Sequence, residues 1–185
     1  GSAPWCEPEC GGRVRSVSLF NGPSMRAPVE DGRADFVPIF LSDVPDLFIS
    51  GAVPLDVAMV QLSPPDRHGY CSLGTSVDAA RAAVDCPRFV IAEINDQMPR
   101  THGNTAVPFD RIDAFIRTNR PLSEHLPAAE TETEGRIGEL VAKLVEDRAT
   151  LQMGIGAIPD AVLARLGDKR DLGVHTEMFS DRLVD

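Results

Sequence analysis

LQMGIGAIPDAVLARLGDKRDLGVHTEMFSD, residues 151–181, decides the fold because it sets a glycine turn, a short helix and a second apolar segment in one continuous run. Residues 150–153 read as a short strand that feeds Gly154-Ile155-Gly156-Ala157-Ile158. Pro159 then stands where a first helical turn begins, a place that suits a residue whose missing N–H would have no intrahelical partner. Ala161, Val162, Leu163 and Leu166 give the helix an apolar stripe, and Gly167 is placed to end it. Residues 172–178 read as the next strand, with Glu177 near its end. Strand, turn, helix and strand make a βαβ unit with a right-handed crossover, whose glycine turn lies at the carboxyl edge of a parallel sheet, where ligands bind.

Each half of this run has two readings. The glycines let a ligand approach the backbone, and N–H groups at a helix start favour a phosphate or a developing oxyanion; the same GxG also serves as plain turn chemistry. Glu177 can attack an electrophile, or it can be a solvated or ion-paired acid. His175 lies two residues earlier, on the same face of an extended strand, where it either tunes Glu177 or packs and orients its neighbours.

Working outward, the rest alternates strands and helices. Residues 14–20 alternate polar and apolar like a half-buried strand. Residues 36–41 form a second apolar run, broken by Pro38, and 44–50 suit a short helix. Residues 57–62 and 89–94 are continuous apolar runs of the kind covered on both faces. Between them 77–84 is alanine-rich and helical in composition, with Ser76 as an N-cap. Residues 112–117 add a strand. Residues 120–134, RPLSEHLPAAETETE, are proline- and acid-rich and read as a linker, with His125 solvated within it. Ile137, Leu140, Val141, Leu144 and Val145 then recur at helical spacing as a core-facing stripe. No internal repeat occurs.

A hydrophobic fraction of 43% and a charged fraction of 25% over 185 residues place the chain among folded globular proteins, long enough for one domain and part of another. A net charge of −10 argues against nucleic acid as a partner. The acidity still leaves room for a phosphate held by backbone N–H groups. No run of about 18 apolar residues exists, so no membrane span is expected, and GSAPWCEPEC has neither the basic start nor the apolar core of a secretory signal. Cys6, Cys10, Cys71 and Cys86 lack metal-ligand spacing, so no metal is expected; Cys71 and Cys86 read as small buried residues in a reducing, cytoplasmic setting. GxSxG, HExxH, CxxC and the P-loop are all absent, which removes support for a Ser-His-Asp hydrolase. In the PRTHGN loop, His102 is flanked by Arg100 and Asn104. His68 follows Pro65 and Asp66 in a turn that it is expected to stabilise.

GIGAIPDAVL and DLGVHTEMFSD, preceded in order by GRADFVPIFLSDVP, QLSPPDRHGYCSLGTSVDAARAA and IAEINDQMPRTHG, resemble the acetyl-CoA hydrolase/transferase family, the class I coenzyme A transferases that include 4-hydroxybutyrate and acetate CoA-transferases. The resemblance runs from about residue 13 to the last residue. It implies an α/β fold, an open, mostly parallel sheet with flanking helices of the CoA-transferase-like type. Residues 1–126 would form the N-terminal lobe without its first segment, and 127–185 the beginning of the C-terminal lobe. It implies that Glu177 is the catalytic nucleophile and forms a glutamyl-CoA thioester, that Gly154, Ile155, Gly156, Ala157 and Ile158 bind coenzyme A, and that Gln152 and His102 contact substrate.

The activity so implied is transfer of CoA between an acyl-CoA and a short-chain carboxylic acid, with coenzyme A as substrate and no tightly bound cofactor. A hydrolase using the same glutamate is the nearest alternative, and a non-catalytic CoA-binding fragment is the alternative of a different class. Homodimerisation is implied as well. One departure stands out, since relatives usually read HTEMFSDG where this chain has Arg182, and arginine takes a positive φ less cheaply than glycine. Relatives are also longer at both ends, so the chain is expected to be a fragment with weak or no activity in isolation.

Overall fold

Over the residues that the computed structural model describes, 4–124 and 129–184, the chain folds as two units, 1–122 and 123–185. The expected boundary between residues 126 and 127 and the reading of His125 fall outside the described residues.

The first unit opens with β1 (Ser16–Ser18), α1 (Pro23–Glu30) and β2 (Ala34–Phe36), the two strands pairing in parallel with Ser16 opposite Ala34. Both are shorter than their apolar runs. The apolar run over 36–41 is strand only at Phe36, since Pro38 has no N–H to give a ladder, and a 3-10 turn, Leu41–Asp43, follows. Next come α2 (Val44–Ile49), β3 (Val57–Leu62), β4 (Tyr70–Ser72) and α3 (Ala80–Asp85). The helix expected from Ser76 starts later, and Asp78 Oδ1 accepts the Ala80 N–H at 3.1 Å. The unit continues through β5 (Phe89–Asn95), β6 (Ala106–Pro108) and β7 (Ala114–Thr118).

β3, β5 and β7 form an all-parallel sheet in that order, with Val57 opposite Phe89 and Ile91 opposite Ala114. Side chains alternate along each strand, and one face supplies Leu62, Ala92 and Ile94 to a cluster completed by Cys71, Leu73, Val84 of α3 and Val107 of β6. Each buried Leu, Ile or Val stabilises by roughly 1.5–3 kcal/mol relative to an exposed one. The expectation of two covered faces is corrected here. α3 packs on β3 and α2 on α3, whereas Met59 and Ile116 on the opposite face are 80% and 62% exposed within this unit.

β4 and β6 pair antiparallel and carry the loop with His102. Ser72 Oγ accepts N–H groups from Thr101 and Gly74, both at 3.1 Å. Thr101 Oγ1 donates to Gly74 O at 2.9 Å and Thr105 Oγ1 to Thr101 O at 2.8 Å. A hydroxyl network, together with the buried Met98 side chain against Gly74, therefore fixes this loop on the end of β4.

In the second unit α4 (Glu132–Ala142) begins inside the segment read as linker. Its start is a capping box, in which Thr131 Oγ1 accepts the Glu134 N–H and Glu134 accepts the Thr131 N–H. It stops before Leu144 and Val145, so the expected stripe is only partly helical. β8 (Thr150–Leu151), α5 (Ala157–Leu163) and β9 (Gly173–Val174) form the βαβ unit, with parallel pairing of Thr150 to Gly173 and Leu151 to Val174. α4 and α5 meet through small residues. A Cβ on Gly138 would stand 2.6 Å from Ala161 O, so glycine permits the close approach. Arg165 braces the pair by donating to Glu130 at 2.8 Å.

The class is thus α/β with a parallel sheet and flanking helices.

Candidate functional site

The turn between β8 and α5 is the first component. Gly156, the N-cap residue of α5, has φ +112°, a conformation that side chains disfavour. Gly154 is different, because its φ is ordinary and a Cβ there would meet nothing within 4 Å. Among the described residues neither backbone strain nor packing demands glycine at 154, and the space beside it is open. Gln152, Gly154, Ile155, Gly156 and Ile158 are exposed and Ala157 is half-buried. A helix's first N–H groups have no intrahelical acceptor; Pro159 contributes none, which leaves those of Ala157 and Ile158.

The second component is Glu177, and its placement corrects the expected strand over 172–178. β9 ends at Val174, so Glu177 is exposed in a bend beyond it, and His175 and Glu177 do not share a strand face. The ladder ends for an identifiable reason. The His175 N–H still donates to Leu151 O at 2.9 Å, but at the next residue a side chain takes the place of the backbone. Thr176 Oγ1 donates to Met153 O at 2.6 Å and accepts the Met153 N–H at 3.3 Å. Such local hydroxyl bonds compete with regular pairing. Consecutive Cα atoms are about 3.8 Å apart, so Glu177 lies one such step from a residue that grips the entrance to the glycine turn.

A further tie follows. Ser180 Oγ donates to Asp160 Oδ1 of α5 at 2.8 Å and accepts the Arg182 N–H at 3.2 Å. Arg182 lies in a 3-10 turn, Asp181–Leu183, without a positive φ, so the loop accommodates arginine on ordinary backbone. Thr176, Ser180 and Asp160 were missed by sequence reasoning; the signal was the pair of hydroxyl residues flanking the acid in HTEMFSD.

The segment that bears Glu177 is thus tied to Met153 at the entrance to the turn and to Asp160 of α5. His102 belongs to the other unit, exposed in the loop between β5 and β6. That loop is further held by Arg100, which donates to Asp66 at 2.7 Å and to Tyr70 O at 2.9 Å. Asp66 also accepts the His68 N–H at 2.9 Å. The N–H groups of Tyr70 and His68, with the Arg100 charge, hold its carboxyl below the usual range.

Among the described residues the largest shifts fall on Glu93 and Cys71. Arg120, bonded at 2.5 and 2.7 Å and helped by Thr118 and Gln61, pulls Glu93 down to about 2. Burial pushes the Cys71 thiol up to about 11, which keeps it protonated and unreactive at neutral pH. Among the described residues no group of three His, Cys, Asp or Glu side chains is arranged to hold a metal.

Comparison with known proteins adds to this geometry. Residues 5–124 match the model of the acetyl-CoA hydrolase/transferase N-terminal domain. The chain is 49% identical over 174 residues to a succinyl-CoA:acetate/propanoyl-CoA:succinate CoA transferase of Fasciola hepatica, covering 94% of this chain and 36% of that one. It is 46% identical over 171 residues to the 4-hydroxybutyrate coenzyme A transferase of Clostridium kluyveri, covering 92% and 40%. The crystal structure of a 4-hydroxybutyrate CoA-transferase from Porphyromonas gingivalis superposes with a TM-score of 0.79 at 38% identity, over 95% of this chain and 46% of that chain. The chain therefore spans 36–40% of the length of these two curated relatives.

Proposed function

The chain belongs to the acetyl-CoA hydrolase/transferase family, and on that footing we propose that it carries the nucleophile and part of the coenzyme A cradle of a CoA-transferase. The reaction moves CoA between an acyl-CoA and a short-chain carboxylic acid. The Glu177 carboxylate attacks the thioester carbonyl, forming an acyl-glutamyl anhydride and releasing CoA thiolate. The thiolate then attacks the glutamyl carbonyl, leaving a glutamyl-CoA thioester and the free acid. An incoming carboxylate runs these steps in reverse.

A carboxylate is a weak nucleophile in water, so the rate depends on donors aimed at the developing oxyanion. Backbone N–H groups from Gly154 to Ala157 are the candidates in this chain, and loss of one such donor typically costs about 100- to 1,000-fold in turnover. Gln152 and His102 are assigned to substrate contacts on the family resemblance. A cytoplasmic setting and a homodimer belong to the same reading.

One observation carries this reading: Thr176 ties the bend that bears Glu177 to Met153, at the entrance to a turn whose Gly154 is left open. The test is intact-protein mass after incubation with acetyl-CoA and borohydride, on this chain and on Glu177→Gln. Reduction of a glutamyl thioester to an alcohol removes about 14 Da, the consequence of covalent catalysis at a carboxylate. The loss is expected in the Glu177 protein alone; a loss that persists in Glu177→Gln sinks the proposal.

A hydrolase shares the intermediate, and the exposure of Glu177 favours it to the extent that water reaches the glutamyl carbonyl. Isotopically labelled acetate separates the two: appearance of label in acetyl-CoA marks transfer, whereas thiol release without it marks hydrolysis.

A further inference from the structure

We propose that Thr176 and Ser180 are positioning residues that hold the Glu177 carboxylate for attack, with Asp160 acting through Ser180. The inference rests on the reading of Glu177 as the nucleophile.

Packing does not fix the bend. Met178 and Phe179, the apolar residues beside Glu177, are 40% and 64% exposed, and the backbone ladder has already ended at His175. Among the described residues a side-chain hydrogen bond stands at each end. Thr176 Oγ1 both donates to and accepts from the backbone of Met153, which fixes the near end in two directions. Ser180 Oγ fixes the far end on the Asp160 carboxylate, and a hydrogen bond to an ionised acceptor is among the stronger kinds.

Both anchors lie on one short frame. Met153 immediately precedes Gly154, and the Asp160 N–H donates to Gly156 O at 3.0 Å. Thr176 and Ser180 themselves are half-buried, whereas Glu177 is exposed. The nucleophile and the backbone donors of the glycine turn thus share one local frame of reference. A misplacement of about 1 Å can cost about 100-fold in rate, so the ties bear on the chemistry rather than on acyl-CoA affinity.

The test is the rate of acetyl-CoA-dependent, borohydride-trapped mass loss across a range of acetyl-CoA concentrations. The proteins are the wild-type chain, Thr176→Val, Thr176→Ser and Ser180→Ala. Thr176→Val is expected to lower the saturating rate about 10- to 100-fold with the half-saturating concentration unchanged. Thr176→Ser, which keeps the hydroxyl, should return the rate to within about threefold of wild type, and Ser180→Ala should lower it about three- to tenfold.

Thr176→Val labelling at the wild-type rate overturns the proposal. So does a Thr176→Ser protein as slow as Thr176→Val, because the hydroxyl would then not be the cause. A raised half-saturating concentration with an unchanged saturating rate overturns it too, since the ties would then serve binding. If Thr176→Val fails to fold, Ser180→Ala carries the same reading, and its labelling at the wild-type rate is the overturning result. Mass loss that persists in Glu177→Gln sinks the Glu177 assignment itself and the positioning role with it.

Discussion

The first unit buries Leu62, Cys71, Val84, Val90 and Val107 completely, at 0% exposure; among the described residues of the second, the buried apolar side chains are Ala142, Ala161 and Leu166. One unit is held by large side chains on a three-stranded parallel sheet. The other is held by small residues between two helices, by two-residue strands and by side-chain hydrogen bonds. The candidate nucleophile sits in the sparsely packed unit. Dense apolar packing excludes the water and ligand that a site must admit, so the elements that carry chemistry tend to come from the less stable parts of a fold.

The largest effect is expected from Leu62→Ala in the core cluster, at about 2–5 kcal/mol of lost stability, read from urea unfolding and from faster hydrogen exchange in β3 and β5. A loss below 1 kcal/mol would mean that the first unit is not held by its core, and the comparison would break. Gly138→Ala should cost less. Alanine gains about 1 kcal/mol of helix propensity over glycine, but its Cβ would meet the Ala161 carbonyl at 2.6 Å, and overpacking of this kind costs about 1–3 kcal/mol. Faster exchange in both α4 and α5 is the expected result; a stabilised variant would show that the helices part easily.

Thr131→Ala removes one half of the capping box and should cost about 1 kcal/mol, seen as faster exchange confined to the first turn of α4. The smallest effect belongs to the Glu93–Arg120 pair, in which Arg120 is mostly exposed. Glu93 is depressed from 4.5 to about 2, so its contribution is present above 4.5 and is lost as pH falls from there toward 2. Arg120→Gln should move the Glu93 midpoint up toward 4.5 in a carboxyl NMR titration, and an unmoved midpoint would assign the depression to Thr118 and Gln61 instead.

What could be read from the sequence follows the same division. The apolar runs at 57–62 and 89–94 became β3 and β5 almost residue for residue, because continuous apolar strands announce themselves without help from neighbours. The GIGAIPDAV turn and helix were equally legible, since glycine and proline fix backbone by local sterics. β4 and β6 were not legible, being three residues each and stable only through pairing with one another. α1 was hidden by Pro28 in its interior. Glu177 was assigned to a strand because GVHTEM has apolar and β-branched residues. The pattern gave no sign that the Thr176 hydroxyl would bond Met153 and end the ladder, since that bond spans 23 residues of sequence.

The account turns on where covalent chemistry occurs. Its most direct test is peptide mapping by tandem mass spectrometry after acetyl-CoA and borohydride treatment. A loss of about 14 Da assigned to Glu177 within the peptide spanning 171–182 is the predicted result. The same loss on another carboxylate would contradict it.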